Sequence, residues 1–162
     1  MFPTTQSLRG FARTILNTAP AARASVKGDA AHRGLHGAVN FYPVAGGTLV
    51  AAEMYGLPTK PSGIHGFHIH AGNACTGDAD DPFSNTGGHY NPGDQPHPDH
   101  AGDMPPLFSN DGYAFLAFFT DRFSAEEVIG RTVVVHSGRD DFTTQPAGDA
   151  GRKIGCGVIR KT

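Results

Sequence analysis

The sequence predicts an all-β fold: an antiparallel sandwich or barrel, broken by long loops and preceded by one short helix. Three observations predict it. Short runs rich in β-branched and aromatic residues recur along the chain, turn residues separate them, and only two brief stretches carry helical spacing. The 22 Gly and 12 Pro among 162 residues call for many turns. This length is that of one domain with its own core, and we divide it into an N-terminal segment, 1–23, and a β domain, 24–162.

The helix comes first. Leu8, Phe11, Ala12, Ile15 and Leu16 fall on one helical stripe, with Arg9 and Arg13 off it. No acidic residue precedes Asp29, so this start reads as a docked helix, a frayed tail or an organelle transit peptide. It lacks the unbroken apolar run of a secretory signal, which makes the cytoplasm the default expectation. After residue 24 the pattern turns to strands. HGAVNFYP (36–43) and TLVAAEMYGL (48–57) flank a tight turn at Ala45-Gly46-Gly47. IHGFHIH (64–70), YAFLAFF (113–119), TVVVH (132–136) and KIGCGVIR (153–160) follow, with a helical turn at Ser124–Ile129. Residues 71–112 show almost no apolar periodicity. A loop that long inside a compact domain is either functional or disordered, and a bound metal is an economical way to order it. A second loop runs from Ser137 to Arg152.

Composition removes several classes of function. Thirteen Lys and Arg against fifteen Asp and Glu give a net charge of −2, unlike the basic domain of a nucleic-acid binder. No stretch is apolar enough to be a membrane-spanning helix. There is no GxSxG and no phosphate-binding loop motif. What stands out is nine His, the commonest metal ligand. His68 and His70 lie two apart in a strand and therefore point to one face. His136 ends another strand, and His89 sits in GGHYNP. Four imidazoles suit copper or zinc better than magnesium or calcium. HPDHAGD adds His97, His100 and Asp103, a donor set suited to tetrahedral zinc. Taken singly, an HxH pair or a turn around Pro98 is compatible with plain structure; the concentration of ligand types favours a site. Cys75 and Cys156 form no CxxC, and their spacing allows either a long-range disulfide or two free thiols.

GFHIH (66–70), GGHYNP (87–92), HAGD (100–103), GRTVVVHSGRDD (130–141) and AGRKIGCGVI (150–159), in this order, resemble the copper–zinc superoxide dismutases. The compact HPDHAGDMPPL and the helix before the first strand are similar to a bacterial branch of that family. The resemblance covers roughly residues 24–160 and implies a Greek-key β-sandwich or flattened barrel with long metal-binding loops. It implies copper ligands His68, His70, His89 and His136, and zinc ligands His89, His97, His100 and Asp103, with His89 bridging the two metals. By the same resemblance Asp140 links a copper ligand to a zinc ligand, His65 is a buried structural histidine, and Cys75 and Cys156 form a disulfide. A disulfide favours an oxidising compartment.

The implied activity is dismutation of the superoxide anion by copper redox cycling, with His89 and Lys153 as catalytic residues. The oligomeric state, monomer or homodimer, stays open. Three departures qualify this expectation. Lys153 stands where the family usually carries Arg, and keeps the charge while losing the planar fork. The neighbouring Arg152 is expected to face the other way. The loop before Lys153 is short, and His97 and His100 are closer together than usual. Reduced activity is expected, and the alternative is a copper- and zinc-binding storage or delivery protein with little turnover.

Overall fold

The computed structural model describes residues 7–162. Ten elements besides a 3-10 turn organise it: helix α1 (Leu8–Asn17), then strands β1 (Ala22–Gly28), β2 (His36–Val44), β3 (Gly47–Tyr55), β4 (Ile64–His65), β5 (Phe67–His70), β6 (Leu107–Phe108), β7 (Ala114–Thr120), β8 (Thr132–His136) and β9 (Lys153–Lys161). Seven strands form one curled antiparallel sheet in the order β5-β8-β9-β1-β2-β3-β7, and β4 and β6 pair separately. The neighbours β1–β9, β3–β7 and β5–β8 are not consecutive in the chain, as expected of Greek-key connections rather than a simple meander.

Alternation explains the curl. In β1, Ala22, Ala24 and Val26 are buried while Arg23, Ser25 and Lys27 face out. Phe41 of β2, Val50 of β3, Phe67 and Ile69 of β5, Val133 and Val135 of β8, and Ile159 of β9 are fully buried in one continuous core. Each of the larger side chains contributes about 1.5–3 kcal/mol through burial. Strand β1 is absent from the sequence expectation because its inward residues are mostly alanine, a weak apolar signal. The 48–57 run is β3, and its last residues leave the sheet: Leu57 instead donates its N–H to the carbonyl of Gly112.

Two further expectations are corrected. IHGFHIH is not one strand. It divides at Gly66 into β4, which pairs with β6, and β5, which enters the main sheet. Gly66 permits this because a Cβ there would lie 2.7 Å from the Cβ of Ala150. Residues 71–112 are also less irregular than their polarity suggests. They include the 3-10 turn Ser84–Thr86 and β6, and isolated bridges join His68 to Asp103 and His70 to His89. Ser124–Ile129 is a turn, closed by Ser124 and Glu127, whose side chains bond each other's backbone N–H.

Helix α1 is capped by Ser7, whose hydroxyl accepts from the N–H of Gly10 at 3.1 Å. Its stripe is narrower than expected. Phe11 and Ile15 pack on Tyr42, Leu49 and Ala51, and Phe11 stacks on Phe119. Leu8 and Leu16 remain 86% and 80% exposed. Part of the 1–23 segment, residues 1–6, falls outside the described residues.

The long loop is laid onto β5 by backbone pairing. Ile69 donates to Gly102, Gly102 to Tyr90 and Tyr90 back to Ile69, each at 2.8 Å. A Cβ on Gly102 would meet the Ile69 carbonyl oxygen at 2.3 Å. Gly102→Ala is therefore expected to cost about 1–3 kcal/mol, measured by denaturant unfolding of the metal-free protein. An unchanged midpoint would show that this contact does not anchor the loop.

Candidate metal centre

The fold gathers two strands and the long loop around one histidine, His89. His68 and His70 point to the same side of β5, opposite Phe67 and Ile69 in the core. His136 arrives from the end of β8, and His89, His97, His100 and Asp103 come from the loop lying on β5. Two groups result. His68, His70, His89 and His136 form one, and His89, His97, His100 and Asp103 the other, with ligand atoms in each group within 4.8 Å of one another. His89 belongs to both.

Outer hydrogen bonds fix which nitrogen of each ring faces inward. His70 Nδ1 faces the Gly87 carbonyl at 2.7 Å, and His136 Nδ1 faces that of Gly151 at 3.2 Å. Their Nε2 atoms then approach each other to 3.3 Å. His68 Nε2 and His97 Nε2 lie 2.7 and 2.9 Å from the two oxygens of Asp140. One carboxylate thus orients a ring from each group, an arrangement that sets ring tautomer at metal sites. The inward atoms His68 Nδ1, His89 Nε2 and His97 Nδ1 are buried without a hydrogen-bond partner. His97 Nδ1 lies 3.1 Å from Asp103 Oδ2, close enough for attraction yet without hydrogen-bonding geometry. His89 Nδ1 lies 2.7 Å from Asp103 Oδ1 and 3.3 Å from His100 Nδ1. Two nitrogens bound to one tetrahedral zinc stand about 3.3 Å apart. Buried, orphaned imidazole nitrogens converging at such spacings fit metal cations, since leaving them unpaired is costly.

Electrostatics agree. Burial, reinforced by neighbouring imidazoles, lowers the pKa of His68, His70 and His136, the last to about 3. Burial acts to raise Asp103 and Asp140, but it is outweighed by several pulls together, from His89, His97 and His100 on Asp103 and from His68, the Phe142 N–H and His97 on Asp140, which hold both carboxylates below their ordinary range. These shifts set an expected pH profile for the metal-free protein. Each of these histidines takes a proton near pH 6.5 when unfolded and resists it when folded, so stability falls as pH drops below about 6.5. The carboxylates act in the same direction lower down: their contribution is full above about 4 and is lost as pH falls further. The melting temperature should fall continuously from about pH 7 to pH 4. A flat profile would mean that the fold accepts protonated imidazoles.

The other sequence-derived positions are also accounted for. His65 is fully buried, with ring nitrogens facing the carbonyls of His136 and Pro58, so it braces β8 rather than joining either group. Cys75 and Cys156 are disulfide-bonded, tying the start of the long loop to β9. Lys153 is the register partner of His136, and its ammonium donates to Asp81 Oδ2 at 2.8 Å. Arg152 does not turn away as strand alternation suggests. It precedes β9, and its guanidinium reaches the Asp80 carbonyl, beside the partner of Lys153.

Sequence reading missed three supports: the carbonyls of Gly87 and Gly151, and Gln145, which brackets the backbone of His97 by accepting its N–H and donating to its C=O. Backbone acceptors carry no side-chain signal, and Gln145 is 48 positions from its partner.

Residues 35–159 match the copper/zinc superoxide dismutase family. The chain belongs to that family. Among curated superoxide dismutases [Cu-Zn], it is similar to one from Deinococcus radiodurans, 37% identical over 142 residues and covering 76% of each chain. It also resembles two from Aquifex aeolicus. Superoxide dismutase [Cu-Zn] 2 is 36% identical over 129 residues, covering 70% of this chain and 72% of the relative. Superoxide dismutase [Cu-Zn] 1 is 34% identical over 130 residues, covering 70% and 73%. A copper/zinc superoxide dismutase fold accounts for both histidine groups, the shared His89 and the disulfide together.

Proposed function

We propose that this protein is a superoxide dismutase, converting two superoxide ions and two protons to dioxygen and hydrogen peroxide. The observation that carries the reading is His89, whose two ring nitrogens face two different ligand groups. His68, His70, His89 and His136 would hold copper; His89, His97, His100 and Asp103 would hold zinc. Copper supplies the one-electron redox step that zinc lacks, and zinc supplies fixed charge and loop order.

The chain's own residues do the rest. Nε2 of His89 is the position at which a proton is taken up and passed to the nascent peroxide, while Nδ1 stays engaged on the side of Asp103 and His100. Asp140 holds His68 and His97 in register, so both groups keep their shape through the cycle. Lys153, beside His136, contributes positive charge that draws the substrate anion inward. Because its ammonium is shared with Asp81, that attraction is weaker than a free cation would give. The disulfide, whose loop carries all but two of the proposed ligands, keeps the loop seated.

The test is metal content and turnover on one sample reconstituted with zinc and then copper. About one copper and one zinc per chain, with turnover well above free copper at equal concentration, is the expected result. Both metals bound without turnover would overturn it in favour of a storage or delivery protein.

A further inference from the structure

On the outer face of the sheet, β1 and β9 border a hollow of about 610 Å³ that no histidine lines. Arg23 and Lys27 line it from β1, and Arg160 and Lys161 from β9. Among the described residues, none of these four cations has a hydrogen-bond or ion-pair partner. By contrast Arg122 pairs with Asp99, Lys153 with Asp81, and Arg131 donates to the Ala71 carbonyl and lies over Tyr90. No Asp or Glu side chain lines the hollow, whose lining also includes Thr162. Glu53 lines the adjoining one, which shares Arg23, Ser25 and Lys27, but its carboxylate accepts from the hydroxyls of Tyr55 and Tyr113.

The arrangement is not a by-product of a basic chain, since the net charge is −2. Arg23 and Arg160 are also direct register partners across the antiparallel pair. Like charges placed opposite each other destabilise a sheet. An anion seated between them would reverse that sign.

We propose that this hollow binds a soluble phosphate monoester, its phosphate held between Arg23 and Arg160. A phosphate monoester carries about −1.5 to −2 charges at neutral pH and so matches two guanidinium groups, whereas a single carboxylate leaves one unmatched. Planar guanidinium forks suit phosphate oxygens in a two-pronged contact. Lys27 and Lys161 widen the positive field, and the Ser25 hydroxyl adds a donor. The remainder of the ligand has an apolar floor in Val158, Phe83 and the Cys75–Cys156 bridge. The volume lies in the range of small-molecule sites.

The test is calorimetric titration of the metal-loaded protein with phenyl phosphate at fixed ionic strength. Phenol and vesicles containing phosphatidic acid are run separately. Phenyl phosphate should bind saturably, with Kd on the order of 0.1–1 mM. Arg23→Gln/Arg160→Gln should weaken it at least about tenfold, as should each single variant in part, while Lys60→Gln leaves it unchanged. Without ligand, the double variant should melt no lower than the parent, because it removes a like-charge pair. Absent saturation, equal binding of phenol, or undiminished binding by the double variant would overturn the proposal. Vesicle binding without phenyl phosphate binding would overturn it too, making the face a membrane contact.

Discussion

His89→Ala in the reconstituted protein is expected to reduce superoxide turnover to the level of free copper. Removing an outer partner of a metal ligand typically costs 10–100-fold in affinity or activity. His89 should cost more, because its ring is placed to serve two ligand groups at once. Its Nε2 is buried and unpartnered, its ring centroid lies 4.0 Å from that of His68, and its Nδ1 faces Asp103 and His100. The alanine variant would leave three imidazoles on one side, and His97, His100 and Asp103 on the other, joined only through Asp140 behind His68 and His97. Zinc content should fall alongside activity. The fold should persist, since the hydrophobic core lies on the other face of β5. Retained turnover well above free copper would remove His89 from the mechanism.

Cys75→Ser should produce the largest loss of stability. The bond joins positions 81 apart, and removing a native disulfide typically costs about 2–5 kcal/mol. For a domain of this size that corresponds to a fall in melting temperature of roughly 4–20 °C. Cys156 is buried against Phe83 and Val134, so a serine hydroxyl at that end would add an unsatisfied polar group to the lost crosslink. Cys75→Ser is the cleaner variant because Cys75 is only partly buried. An unchanged melting temperature would mean that β9 holds the loop without the bond.

The chemistry of the site was more legible in the sequence than the strands that hold it. HxH in a strand and a histidine at the end of VVVH obey simple alternation, and all the proposed ligands lie in the two groups. The disulfide followed only from family resemblance, since spacing alone left it open. Strand β1 leaves little trace in the sequence because Ala22 and Ala24 carry no conspicuous apolar bulk, although they are fully enclosed. The break at Gly66 was hidden for a different reason: it depends on Ala150, a distant residue packing where a side chain would be. Leu8 and Leu16 matched helical spacing, yet only the Phe11–Ile15 edge finds a surface. Local periodicity reports what a segment can bury; the tertiary partner decides how much of it is buried.

The place of β9 in the sheet has a consequence for the order of biosynthetic events. This strand is synthesised after all the others, yet it lies between β8 and β1 and carries one half of the disulfide. Until residues 153–161 have left the ribosome, β1 can find β2 but not its other neighbour, β8 lacks its far partner, and Cys75 has nothing to oxidise with. A nascent chain can build the β1–β2–β3 meander by local contacts, and the rest awaits a contact between distant parts of the sequence. Such contacts are slow to form because loop-closure entropy must be overcome first. Sheet closure and crosslinking are thereby deferred to a late step after translation of the last strand, leaving an interval in which the long loop is open to chaperones and proteases.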